Sequence, residues 1–173
     1  MSRLIAVALF VFAAAPMAVK APTVLAAPGR CYNIQLNITP YRSSAGAGHV
    51  GVMYRVHNLW TGACTLGGYP GAELLGAKFH SLPTHLTRGL GYLVGKRPVQ
   101  LVTLAGNNDA YFVLEWDQIQ TEHQPCQVAR YFMITPPNDN LPDVTWATSN
   151  AGFIRACSGM VTASPVASKA FNF

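Results

Sequence analysis

Beyond residue 31 the hydrophobic positions recur every second residue rather than every three or four. Tyr32, Ile34, Leu36 and Ile38 alternate with Asn33, Gln35 and Asn37, and Val50, Val52, Tyr54 and Val56 alternate with Gly51, Met53, Arg55 and His57. A period of two places successive side chains on opposite faces of an extended chain, so both runs are predicted as strands. The same pattern predicts strands over Val99–Leu104, Tyr111–Trp116, Val128–Thr135 and Met160–Val166, with Phe112, Leu114 and Trp116 facing the core. Between them lie SSAGAG, GGYPGA, AGNNDA and TPPNDN, rich in the Gly, Pro, Asn and Asp that turns require. Short strands separated by such breaks predict an all-β sandwich or barrel in a single domain. Ala72, Leu75, Phe79 and Leu82 fall on one helical stripe, but Gly76 interrupts it, so a strand followed by a loop is the competing reading. In CTLGGYPGAELLG (Cys64–Gly76), Pro70 and Gly71 suit the two central positions of a type II turn. A strand is expected to resume at Glu73–Leu75, and Gly71→Ala to be costly because the third turn position needs φ > 0.

The first residues belong to a different class. Arg3 precedes the apolar run Leu4–Ala15, followed by small-residue exits at Val19–Ala21 and Val24–Ala27. This is the layout of a secretory signal peptide over residues 1–27, leaving 28–173 as the β-sandwich domain. No later stretch is long and apolar enough for a spanning helix. The formal charge of +5 includes Arg3 and Lys20, both lost with the leader, and charged residues make up 11 % of the chain against about 25 % in ordinary domains. Lys96-Arg97 is the only adjacent basic pair, so no basic patch for nucleic acid is expected.

Export changes the reading of Cys31, Cys64, Cys126 and Cys157: an even count in an oxidising compartment implies two disulfides. Three pairings are possible. The similar gaps from Cys31 to Cys64 and from Cys126 to Cys157 favour the sequential one. No short CxxC spacing suggests zinc, and neither metal nor cofactor is expected. Gly46-Ala47-Gly48-His49-Val50-Gly51 spells GxGxxG, yet it leads into a strand where a dinucleotide fold needs a helix. Gly95-Lys96 lacks both the earlier glycine and the Ser or Thr of a P-loop.

No pair among the five histidines has metal-ligand spacing, and no GxSxG elbow is present, which leaves open a triad assembled only in the fold. Glu115 and Asp117 share a strand face and read as a solvated edge. Should catalysis occur, His57 or His123 with Asp109 or Glu115 are the residues to assemble it. Trp60, Trp116 and Trp146, with Tyr41, Tyr69, Tyr92 and Tyr111, are candidates for an aromatic platform. Alternation buries Trp116, which leaves Trp60 (NLWTG) and Trp146 (VTWAT) as the surface binding candidates.

Five segments, GHVGVMYRVHN, CTLGGYPGAELLG, VTLAGNNDAYFVLEW, CQVARYFMITPPN and CSGMVTASPV, are together similar to domain-of-unknown-function family 4232 of exported and lipid-anchored actinobacterial proteins. The likeness runs from Cys31 to Val166. It implies an Ig-like antiparallel β-sandwich with paired cysteines and no known catalytic residue. Pro28-Gly29-Arg30-Cys31 lacks a lipobox, which points to free secretion or cell-wall association. Leu104–Asp109 replaces the family's Leu-x-Pro-Gly, so that turn is expected to be longer. The functional expectation is a monomeric, non-catalytic cell-surface module that binds a protein or an envelope glycan. The alternatives are a structural envelope protein without a saturable ligand and a secreted hydrolase.

Overall fold

The alternating runs fold as strands in the computed structural model, which describes residues 26–173. The expected leader lies outside the described residues save for its last two. In chain order the strands are β1 (Leu36–Gly46), β2 (His49–Asn58), β3 (Cys64–Gly67), β4 (Gly71–Leu75), β5 (His85–Arg88) and β6 (Leu101–Leu104). There follow β7 (Asp109–Asp117), β8 (Cys126–Ala129), β9 (Tyr131–Thr135), β10 (Asp143–Trp146), β11 (Ile154–Cys157) and β12 (Met160–Ala163). They form a five-stranded sheet β1-β2-β7-β12-β5, a three-stranded sheet β10-β9-β4, and the pairs β11-β8 and β3-β6. Every pairing is antiparallel except β12 with β5. Among the described residues no helix is long and apolar enough to cross a membrane.

The two larger sheets meet through aromatic side chains. Phe132 of β9 stands edge-on to Tyr54 of β2 with ring centroids 6.2 Å apart, and 5.9 Å from Trp116 of β7. Tyr54 in turn stacks on Phe112 at 5.4 Å. All four rings are buried, so one apolar core joins the layers. The fold is all-β with two disulfides, Cys31–Cys64 and Cys126–Cys157, in keeping with an Ig-like sandwich. Such bridges are typical of extracellular proteins.

Local chemistry moved several boundaries. Tyr32–Ile38 is not strand throughout: a 3-10 turn occupies Asn33–Gln35, because Gln35 Oε1 accepts from the Tyr32 N–H at 2.7 Å and ties the chain locally. The break expected over SSAGAG shrinks to Ala47 (φ 48°) and Gly48 (φ 86°), the two positive-φ positions of a tight hairpin. Strand β1 therefore runs on through Pro40, which an edge strand tolerates, and through an irregularity between Pro40 and Arg42. The left-handed glycine of GGYPGA is Gly68 (φ 103°), not Gly71, which already pairs with Thr135 in β4. Gly71→Ala thus meets a different obstacle from the expected one, a Cβ 3.2 Å from Thr135 Cβ. The Ala72–Leu82 stripe is strand, then loop. Val128–Thr135 splits at Arg130: Ala129 pairs with Ile154 and Tyr131 with Leu75 and Trp146, so one residue carries the chain between sheets.

The outer face of the five-stranded sheet is not left to water. Met53 and Val113, which alternation turns away from the core, are fully buried. The C-terminal segment lies across this face. The Phe173 ring occupies the space a Cβ on Gly51 would need, Arg42 donates to the Phe171 carbonyl, and the Arg97 guanidinium sits 3.6 Å above the Phe171 ring.

Two polar contacts set the position of β10. The Tyr54 hydroxyl, buried between the sheets, donates to the Ala147 carbonyl at 2.8 Å, and burial pushes its phenol pKa well above the ordinary value. At the other end of β10, Asp139 accepts the N–H groups of Asn33 (2.5 Å), Asn140 (2.7 Å) and Leu141 (3.3 Å). Desolvation raises the Asp139 pKa, but these hydrogen bonds and the charge of Arg30 outweigh it and leave the carboxyl below its ordinary 3.8.

Tyr54→Phe leaves the Ala147 carbonyl without its buried donor. It is expected to cost about 1–2 kcal/mol, read as a lower urea midpoint at unchanged slope. Asp139→Asn is expected to lower the midpoint at neutral pH. Because the folded-state pKa is depressed, the carboxylate's contribution is present above its unfolded value and disappears as pH falls through the folded one. The gap between parent and variant should therefore close in acid; a gap unchanged with pH would remove Asp139 from this role.

Candidate functional site

The outer face of the three-stranded sheet should, by simple alternation, be polar. In β9, Phe132 and Ile134 point inward and are fully buried, which turns Tyr131 and Met133 outward. In β10, Thr145 is buried and Val144 and Trp146 face out. Register places Trp146 beside Tyr131 and Val144 beside Met133. Cross-strand neighbours on one face touch, and here they make an apolar surface in place of a solvated one.

The loop after β4 extends it. Gly76 N–H bonds to the His80 carbonyl and Phe79 N–H to the Gly76 carbonyl, closing a tight reversal. A Cβ on Gly76 would lie 2.1 Å from the ring of exposed His80, which would have to swing aside. Phe79 at the tip adopts φ 59°, a left-handed conformation that costs an aromatic residue about 1–3 kcal/mol. Its ring stacks on Tyr131 with centroids 4.5 Å apart, and Tyr131 packs on Trp146 at 4.6 Å. Phe79 remains 58 % exposed and Trp146 38 %.

Arg130, the residue that crosses between sheets, supplies charge. Its guanidinium lies 5.0 Å from the Trp146 ring, 5.2 Å from Phe153 and 5.9 Å from Tyr131. No carboxylate pairs with it among the described residues, and its buried Nε has no hydrogen-bond partner. Beside the row runs a groove of about 430 Å³ between β1 and β10, lined by Asn37, Thr39, Asp143 and the three aromatic rings. The site thus offers apolar area, a cation held by aromatic faces, and Asp143 with neighbouring hydroxyl and amide groups at the rim.

Of the two tryptophans singled out by sequence, only Trp146 belongs to this row. Trp60 is 52 % exposed on the loop after β2. Its backbone is fixed by buried Asn58, whose Oδ1 accepts the Trp60 N–H and whose Nδ2 is shared among the Gly62, Leu104 and Ala105 carbonyls. It does not line the groove. Phe79, Arg130 and Phe153 escaped sequence reasoning. Two come from loops and the third from a one-residue crossing, so no periodicity marks them. Tyr131 carried a signal: an aromatic ring on the outward side of a strand whose other side is Phe132 and Ile134.

The four cysteines form the sequential pairs. His57 and Asp109, named as possible catalytic partners, are cross-strand neighbours with Nδ1 and Oδ1 2.7 Å apart. The Tyr111 hydroxyl is 3.5 Å from Asp109, and its phenol pKa is raised by burial and then by that carboxylate. No Ser or Thr hydroxyl is bonded to His57 among the described residues, so the pair has a base and an orienting acid without a hydrogen-bonded nucleophile. His123 is exposed and makes no such pair. Glu115 is not a solvated edge residue: it is 4 % exposed.

Residues 31–167 match the model of the family described as Domain of unknown function (DUF4232). Neither the curated proteins nor the solved structures give a significant match.

Proposed function

The chain belongs to the family described as Domain of unknown function (DUF4232), and on that footing we propose that it is an exported, non-catalytic module that binds a partner protein at the cell surface. The observation that carries this reading is the row Phe79–Tyr131–Trp146 on an outer sheet face, flanked by Arg130 and continued by exposed Val144 and Phe153. Contact surfaces of proteins concentrate Trp, Tyr, Phe and Arg in this way. The strained backbone at Phe79 supports the same reading, since the fold does not need that ring in its core. Two disulfides suit a module exposed outside the cell or held in its wall.

The test is co-sedimentation of the oxidised protein with envelope fractions of its own host across a salt titration. Saturable binding should survive high salt and be lost when the envelope is treated with protease. Trp146→Ala should weaken it about tenfold or more, as removal of an interface anchor does, and Trp60→Ala less than about twofold. Binding destroyed by glycan digestion but not by protease would transfer the site to an envelope glycan. The absence of any saturable binding would favour a structural envelope protein. The His57–Asp109 contact is the one observation favouring a secreted hydrolase; ester or glycoside turnover abolished by His57→Ala would establish that reading.

A further inference from the structure

The groove beside the aromatic row lies between two strands that each end a sheet. Strand β10 pairs only with β9, and β1 only with β2. Register and hydrogen bonding decide which backbone groups of β10 are left over. The Ala147 N–H bonds to the Arg130 carbonyl, and bonded and unbonded residues alternate along an antiparallel pair. Thr145 and Asp143 therefore direct their backbone groups at β9, while Val144 and Trp146 direct theirs into the groove. The far side of the sheet agrees: Leu74, opposite Phe132, bonds away from β9 to Leu82 and Thr84, which leaves Phe132 for Thr145. Among the described residues neither backbone group of Val144 nor the Trp146 N–H has a partner. The Trp146 carbonyl has only a long contact of 3.4 Å from the Tyr54 hydroxyl. Both residues are exposed.

An open strand edge is a template for another strand, and edges are commonly blunted by Pro, Lys or an irregular register. Strand β1 has two of these devices, Pro40 and the irregularity beside it. The β10 sequence DVTW has none. The two ends of β10 differ in charge. Asp143, at its start, makes no ion pair among the described residues, and no Lys or Arg lines the groove. Beside Trp146, at its end, stands the Arg130 guanidinium, also without a carboxylate. A strand added antiparallel meets Trp146 first and Asp143 three residues later. Side chains alternate between faces, so its residue opposite Trp146 lies on the outer face with Arg130 and the aromatic rings. Its residue opposite Asp143 lies on the other face, with that carboxylate. An acidic residue followed at the third position by a basic one satisfies both ends.

We propose that β10 takes up a strand from its partner: an extended peptide segment carrying an Asp or Glu and, three residues later, a Lys or Arg, paired antiparallel through Val144 and Trp146. This rests on the protein-binding reading and names the chemistry of that partner.

Val144→Pro removes a backbone donor that β9 does not use, and an edge strand accepts proline where its N–H faces outward. The probe is the envelope fraction of the protein's own host, titrated with the full, oxidised chain. Val144→Pro is expected to weaken binding about tenfold or more, and Val144→Thr, which keeps the N–H, less than about threefold. The urea midpoint of Val144→Pro shows whether its fold is kept; where it is not, Asp143→Lys decides. That variant reverses the charge offered to the basic residue and is expected to weaken binding about fivefold or more, with a loss that shrinks at high salt. Binding that Trp146→Ala weakens but Val144→Pro spares overturns strand addition and leaves the protein-binding face standing. Unchanged binding by Asp143→Lys overturns it as well. A parent chain that sediments as a dimer, with Val144→Pro a monomer, would give the edge to a second copy and overturn the proposal. No saturable binding by the parent removes the protein-binding reading, and this inference with it.

Discussion

The hydroxyl of Tyr54 is bonded across the interior to the carbonyl of Ala147, and the surface chemistry of the protein depends on that contact. Tyr54 stands in the five-stranded sheet, Ala147 follows β10 directly, and the ring between them stacks on Phe112 and meets Phe132 edge-on. A hydrogen bond in a dry interior fixes direction as well as distance. It therefore sets where the end of β10 sits, and with it Trp146. From Trp146 the order passes outward to Tyr131, to Phe79 and to the Arg130 side chain lodged among the rings.

How the chain handles its few charges follows from the same economy. Among the described residues the only ion-pair contacts are His49–Glu115 and His57–Asp109. The arginines go elsewhere: Arg30 to the Asn138 carbonyl and the Tyr32 ring, Arg97 to Phe171, Arg130 to an aromatic cluster. Carboxylates are satisfied by backbone N–H groups, three each for Asp139 and Glu115. These arrangements hold loops in place without the side-chain freedom that exposed ion pairs must surrender.

Strands β2 and β7 were legible because Val50–Val56 and Tyr111–Trp116 alternate cleanly, and the disulfide pairing followed from spacing. What alternation could not convey was which faces are covered. Glu115 reads as an edge residue only while the outer face is assumed wet; the loop after β5 and the C-terminal segment cover that face, so the carboxylate is buried. The split at Arg130 was hidden because Ala129 and Tyr131 serve different sheets without a Gly or Pro to mark the change. Strand β10 is only four residues long, DVTW, too short for a period to declare itself. The candidate site was half legible: Trp146 stood out by type, whereas Phe79 reaches it through a loop conformation with no pattern in the sequence.

Phe79 bears further on how such a surface persists. Its φ of 59° suits glycine or asparagine, either of which would relax the loop and remove an exposed ring. Such a replacement would relieve the backbone and forfeit the stack on Tyr131. The loop thus carries a local conformational cost whose visible return is an exposed ring stacked on Tyr131.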